Sequence, residues 1–102
     1  MVGTGQIRDA LAAVKDPETQ APIIRLGQVE DVAVNDDGTV EVRFRPISPY
    51  TPPMLVAKLA LEIAAAVAAV EGIAAVRVTV AGHPLDRYLN AALEKVLAAG
   101  KS

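Results

Sequence analysis

Apolar and polar residues alternate one for one over three stretches of the chain, and elsewhere apolar residues return every third or fourth position. The clearest alternation interleaves Val40, Val42 and Phe44 with Thr39, Glu41, Arg43 and Arg45. Side chains of an extended strand point to opposite faces in turn, so this segment predicts a half-buried strand, apolar towards a core and charged towards solvent. Val29–Val34 predicts another strand, with Val32 and Val34 on one face. Between them, Asn35-Asp36-Asp37-Gly38 is a turn sequence, because Asn and Asp tolerate the left-handed region and Gly enters it without steric cost. The two runs predict a β-hairpin. Val76, Val78 and Val80, alternating with Arg77 and Thr79, predict a third strand.

Helical spacing occupies most of the remainder. Ile7, Ala10, Leu11 and Val14 share one face of a short first helix, capped by Thr4 and ended by Asp16-Pro17, since a residue before proline is pushed out of the helical region. Residues 17–22 read as a loop leading to Ile23, Ile24 and Leu26, and Gly27 interrupts before the first strand. Pro46 to Pro53 holds four prolines in eight residues and suits neither a central strand nor a helix interior. Thr51-Pro52 is a helix start, a capping hydroxyl followed by proline at the first helical position. That helix is expected from about Pro52 to Val70, stopping near Gly72. Its only charges between Met54 and Val70 are Lys58 and Glu62, so it is apolar over most of its circumference and needs cover on more than one side. Gly82-His83-Pro84 opens a final helix with Leu85, Leu89, Ala92, Leu93 and Val96 on one face and Gly100 as its end cap.

The order α-β-β-α-β-α predicts an α/β (α+β) two-layer sandwich: a three-stranded mixed sheet with helices packed mainly on one face. Glu41, Arg43 and, if the third strand follows the same alternation, Arg77 belong to the other face. A crossover helix between the second and third strands implies a right-handed unit. The third strand can pair with either the first or the second.

Composition narrows the function classes. A chain of 102 residues favours one domain, and with 52% hydrophobic but only 3% aromatic residues its core is built from Ala, Val and Leu. Charged residues of both signs make up 22%, which argues against disorder. The absence of cysteine excludes a disulfide scaffold, a cysteine-ligated zinc or iron–sulfur site and a thiol nucleophile. A net charge of -2 leaves no whole-domain basic field for nucleic acid or an anionic membrane. Met1–Gln6 does not read as a signal peptide, and the longest uncharged apolar run, Ile63 to Val70, is far short of the roughly 20 residues that span a bilayer. The expectation is a cytoplasmic protein with no membrane partner.

Few residues offer chemistry. Asp16-Pro17-Glu18 places two carboxylates around a rigid proline, as metal ligands or a general base, or as a helix stop and a solvated loop charge. Ser48, Tyr50 and Thr51 bring three hydroxyls to one loop, but a hydroxyl nucleophile needs a base, and the chain has one histidine. A capping role for Thr51, worth about 1 kcal/mol, competes with catalysis, and the helix N-terminus behind it can hold an anion. His83 caps the last helix or points to water; as a metal ligand it would need Asp16, Glu18 or Asp86 to converge on it. Arg43, Arg45, Arg77 and Arg87 form a basic patch or a solvated face balanced by Glu41 and Glu94. No G-x-x-x-x-G-K-S/T phosphate loop is present.

Asp16-Pro17-Glu18, then Ile23-Ile24-Arg25-Leu26-Gly27-Gln28-Val29-Glu30-Asp31-Val32, the Asp37-Gly38-Thr39-Val40 turn and Glu71-Gly72-Ile73-Ala74-Ala75-Val76, in that order, resemble the metal–sulfur (iron–sulfur) cluster assembly domain family, in its SufT-like and PaaD-like group. The likeness covers about Gly5 to Val80. The family pattern runs D-P-E, I-x-x-L-G-L-V-x-x-V, a hairpin, then S-P-x-C-P at a helix start. Ser48-Pro49-Tyr50-Thr51-Pro52 overlays the last motif and puts Thr51 where the family has cysteine. At a helix N-terminus the dipole favours a metal-binding thiolate, whereas a threonine hydroxyl is too weak an acid and a poor soft-metal ligand. Thr19 and Gln28 stand where the family has leucine.

The resemblance implies one cluster-assembly-like domain over residues 1–102, with a core over 5–80 and a C-terminal helix over 84–99. It implies a non-enzymatic adaptor or accessory protein that has lost the usual cysteine ligand, holds no cofactor or metal, and docks a protein client or an assembly factor. Asp16, Glu18, Ser48 and Thr51 mark the family's site. The alternative is a small-ligand-binding protein or cysteine-independent enzyme using a pocket near Thr51. Nucleic-acid binding ranks below both, because the KH-like element order comes without a G-x-x-G loop or a basic surface. A two-fold homodimer is expected through the small apolar residues of the central helix, Ala60, Ala64 and Ala68, unless the final helix covers them.

Overall fold

A computed structural model describes residues 2–99. Its elements are α1 (Thr4–Leu11), β1 (Val29–Val34), β2 (Thr39–Phe44), α2 (Pro53–Ala68), β3 (Ala75–Val80) and α3 (Asp86–Ala99). β1 and β2 pair antiparallel around the expected turn, where the Gly38 N–H reaches the Asn35 carbonyl at 3.0 Å. Gly38 sits at φ +87°, a conformation that costs a side-chain-bearing residue strain. After the α2 crossover, β3 runs parallel to β2, so the sheet order is β1-β2-β3 and the central strand is β2. The third strand's partner is therefore the second.

Pairing lays three apolar rows across the inner face: Val29, Phe44 and Val80; Val32, Val42 and Val78; Val34, Val40 and Val76. α1 presses Ile7 and Leu11 onto these rows, and α2 adds Val56, Leu59, Ala60, Ile63, Ala64 and Val67, spaced so that they share one side of a 3.6-residue helix. Val14, Ile23 and Leu93 complete the core. Glu41, Arg43 and Arg77 stand on the outer face with Asp31, Ala33 and Thr79, as the alternation predicts. No helix among the described residues is long and apolar enough to cross a membrane.

One irregularity decides the outer electrostatics. The β1–β2 register shifts between Val29 and Asp31. Unbroken alternation from Val32 would turn Glu30 into the core, and the bulge re-aims it instead. Its carboxylate meets Arg43 Nε at 3.2 Å and Arg45 Nε at 2.8 Å. The hydrogen bond from Arg45, with the charge of both arginines behind it, holds the Glu30 pKa below its ordinary value. Arg43 and Arg45 are thus balanced by Glu30 rather than by Glu41, which accepts from Asn35 Nδ2 at 3.2 Å. Arg77 approaches Glu94 of α3 at 3.8 Å. Arg43, Arg45 and Arg77 thus each stand beside a carboxylate.

Both ends of α1 differ from the sequence expectation. Thr4 is not the cap of α1 but its first residue. Gly3 is the cap: its carbonyl accepts from Gln6 and Ile7, and its N–H donates to Gln6 Oε1 at 3.0 Å. α1 also stops at Leu11, short of Asp16-Pro17. The Ala12 N–H turns back to the Asp9 carbonyl and the Val14 N–H to the Leu11 carbonyl, three-residue steps that tighten and end the helix. The chain then closes a small loop through a Lys15–Pro22 bridge, with Asp16 N–H to Ala21 O at 2.9 Å and Ile23 N–H to Val14 O at 3.0 Å. That loop delivers both Val14 and Ile23 to the core.

α3 is rotated relative to the face expected of it. Leu93 is buried and Leu89 and Leu97 half-buried, whereas Leu85, Ala92 and Val96 are exposed. The cause is Asn90, whose Oδ1 accepts the Val80 N–H at 2.8 Å and whose Nδ2 donates to the Val80 carbonyl at 3.1 Å. β3 is an edge strand, and Asn90 satisfies backbone groups there that no further strand pairs. The proposed end cap, Gly100, lies outside the described residues.

Candidate functional site

Parallel pairing makes β2 and β3 end side by side, at Phe44 and Val80. The segments that follow them meet the Asp16 loop and the entry to α2 through a series of hydrogen bonds. Asp16 is 1% exposed. Its Oδ2 accepts the N–H groups of Glu18 and Thr19, each at 2.9 Å, and the Thr19 hydroxyl at 3.3 Å. Its Oδ1 accepts Gln28 Nε2 at 3.2 Å. Three of these four bonds crowd onto Oδ2 and the fourth engages Oδ1, so both carboxylate oxygens are held by the protein. Gln28 extends the link: its Nε2 also reaches the Arg45 carbonyl, and the Arg45 N–H returns to the Gln28 carbonyl at 2.8 Å. Asp16 therefore anchors its own loop to the start of β1 and the end of β2. Glu18 is exposed beside it.

Across from this group, Ser48 and Thr51 shape the approach to α2. The Ser48 hydroxyl accepts the Tyr50 N–H at 3.0 Å, and its carbonyl accepts the Thr51 N–H at 3.2 Å. Thr51 does not cap the helix. It lies one residue too early, because Pro52 occupies the cap position and its carbonyl takes the Leu55 and Val56 N–H groups at 2.9 and 3.1 Å. Thr51 is 3% exposed, and its Oγ1 is buried without a partner, as is Gln28 Oε1. Pro52 and Pro53 have no N–H to offer, so the first turn of α2 is a poor anion site.

His83 points neither to water nor into a ligand set. Its Nδ1 accepts the Leu85 N–H at 3.0 Å, which leaves the proton on Nε2 to donate to the Thr51 carbonyl at 2.8 Å. The ring staples the turn after β3 to the entry of α2. Beside it Gly82, at φ +74°, leaves room for the Arg45 guanidinium where a Cβ would otherwise sit.

The residues expected to mark the site thus divide into two groups at one end of the sheet. Among the described residues no hydrogen bond joins Asp16 or Glu18 to Ser48 or Thr51, and no group of three His, Cys, Asp or Glu could hold a metal ion. Three grooves, of about 480, 470 and 500 Å³, lie elsewhere: between α3 and the outer face of the sheet, along α2, and between residues 13–20 and α2. Ile47 and Tyr50 project from the proline-bounded loop, Tyr50 at 89% exposure. Ile47 and Gln28 escaped sequence reasoning. The available signal for Gln28 was an amide at an apolar family position, which demands a buried partner.

Residues 4–80 match the model of a family described as iron–sulfur cluster assembly protein. The chain is also 35% identical over 95 residues to Uncharacterized protein MJ1129 of Methanocaldococcus jannaschii, covering 93% of this chain and 98% of that protein. The family match ends with β3, so it includes Asp16, Glu18, Ser48 and Thr51 but neither His83 nor α3.

Proposed function

This chain belongs to the iron–sulfur cluster assembly protein family, and on that premise we propose that it is a non-enzymatic adaptor of the SufT-like and PaaD-like kind. It docks a protein client or another assembly factor in the cytoplasm and leaves ligation of the cluster, its cargo, to that partner. The donor set supports this division. Threonine replaces a soft thiolate ligand, Asp16 is occupied by its own loop, and both nitrogens of His83 are engaged.

The observation that carries the reading is the loop ahead of α2, which holds Ile47 and Tyr50 in solvent between prolines. An aromatic side chain on a stiff loop loses little entropy on docking and is a common anchor of protein interfaces. Self-association belongs to the same proposal: the chain pairs with a second copy of itself.

Capture on the immobilised chain tests the adaptor role. The wild type should retain cluster-assembly factors or iron–sulfur enzymes, and replacing Ile47 and Tyr50 by alanine should weaken that binding by about tenfold or more. In parallel, anaerobic reconstitution with iron and sulfide should leave the wild type colourless after desalting, with Thr51→Cys as the positive control. A stoichiometric cluster on the wild type, or capture indifferent to Ile47 and Tyr50, refutes the proposal.

A further inference from the structure

α2 carries two apolar faces, and the fold covers one. Opposite the buried stripe, Met54, Ala57, Leu61, Ala65 and Ala68 recur at intervals of three and four residues along roughly 21 Å of helix. Met54 is 84% and Leu61 42% exposed, and a shallow apolar groove runs along this face. α3 does not cover it, because Asn90 and Leu93 commit that helix to the edge of β3. Lys58 and Glu62, the only charges of α2, lie together on one flank of the stripe.

We propose that this outer face of α2 packs antiparallel against the same face of a second copy, about a two-fold axis at Leu61. The surface rests on the self-association put forward above and deepens it. The sequence of the face is complementary to its own reverse. With Leu61 against the partner's Leu61, Ala57 lies opposite the partner's Ala65, and Met54, the longest side chain of the face, opposite the partner's Ala68, among the smallest. In an antiparallel helix pair each flank meets the same flank of its partner, so Lys58 comes within reach of the partner's Glu62, and the two-fold axis repeats that ion pair. The alanines allow close approach. A parallel arrangement would instead stack Met54 on the partner's Met54 and carry the Lys58–Glu62 flanks of the two copies to opposite sides, so the ion pairs would be lost. A second copy therefore suits this face better than an unrelated helix, which would need to match both the size order and the charge order.

One four-turn helix from each copy makes an interface at the low end of specific contacts, below about 1,200 Å² in total, so micromolar association is expected. Sedimentation equilibrium of the full chain should show a 10.6 kDa species giving way to its dimer as concentration rises. Leu61→Glu should weaken association by about a hundredfold or more, since two buried carboxylates would meet on the axis. Lys58→Glu should weaken it, and adding Glu62→Lys in the same chain should restore it. The chain has no native cysteine, so Leu61→Cys should form a disulfide dimer under mild oxidation while Ala91→Cys, on α3, should not. Leu61 is partly exposed, and an unchanged far-UV circular dichroism spectrum separates lost association from lost folding. A monomer at every concentration overturns both self-association and this surface. A dimer indifferent to Leu61→Glu overturns the surface alone, and one that Leu61→Cys does not cross-link overturns the register.

Discussion

Replacing Thr51 by valine should stabilise the protein. Thr51 is 3% exposed and its hydroxyl has no partner, so folding strips that group of water and returns nothing. An unpaired buried hydroxyl costs about 1–3 kcal/mol by mutational measure. Valine keeps the branched shape and puts a methyl group in its place, for an expected gain of about 1–2 kcal/mol, or a Tm rise of about 4–8 °C per kcal/mol in a domain of this size. Thr51→Ser keeps the hydroxyl and loses a methyl, at a cost of about 1 kcal/mol. Thr51→Ala loses both groups, and the two effects largely cancel. The stability order is therefore Val, then wild type and Ala together, then Ser. A helix-capping threonine gives a different order, with Ser equal to the wild type and with Ala and Val below it by about 0.5–2 kcal/mol. Urea titration followed by far-UV circular dichroism distinguishes them through the midpoint at constant m value. Wild-type stability in Thr51→Ser combined with a loss in Thr51→Val would refute the reasoning, because it would mean the hydroxyl has found a partner.

Asn90→Ala should cost about 2–3 kcal/mol in the same titration, the loss of two hydrogen bonds to Val80 with its backbone left part-buried. Asn90→Asp should fare no better, because a carboxylate cannot donate to the Val80 carbonyl. Gly82→Ala should lose about 1–2 kcal/mol from its φ of +74° and further stability from collision with Arg45; Arg45→Ala in the same chain should recover the second part only, which a double-mutant cycle resolves. Glu30 has a folded pKa below its ordinary value of 4.5, so its contribution is present above that pH and is lost as pH falls through the depressed value. The Tm difference between wild type and Glu30→Gln should accordingly be constant near neutrality, shrink on acidification and shrink with added salt.

The hairpin was legible from the chain itself because everything that makes it is local. Period-two alternation in Val40–Phe44 needs only a sheet with one wet face, and Asn35–Gly38 reverses the chain by its own backbone preferences. α2 was legible as a helix but not in its facing: Ala60 and Ala64, expected on a dimer surface, are buried against the sheet because they share a side with Val56, Ile63 and Val67. The roles of Asp16, Glu18, Ser48 and Thr51 were not legible either. Whether an Asp is a free ligand depends on what reaches its oxygens, and for Asp16 the last donor is Gln28, twelve residues away at the entry to β1.

Tertiary structure alone decided the rest, and each case has the same cause: a polar group had to find its partner across the fold. Glu30 escapes the core through a bulge because Arg43 and Arg45 wait on the other side. α3 turns the face bearing Asn90 inward because the edge of β3 has backbone groups to satisfy, although the apolar spacing alone favoured Ala92 and Val96. Thr51 has the residue type and neighbours of a cap, but Pro52 takes that position, and the hydroxyl is buried where the His83 staple draws the loop against β3. Local sequence determines which backbone shapes are favourable over a few residues. Burial and hydrogen bonding between distant segments determine which of those shapes the finished fold retains.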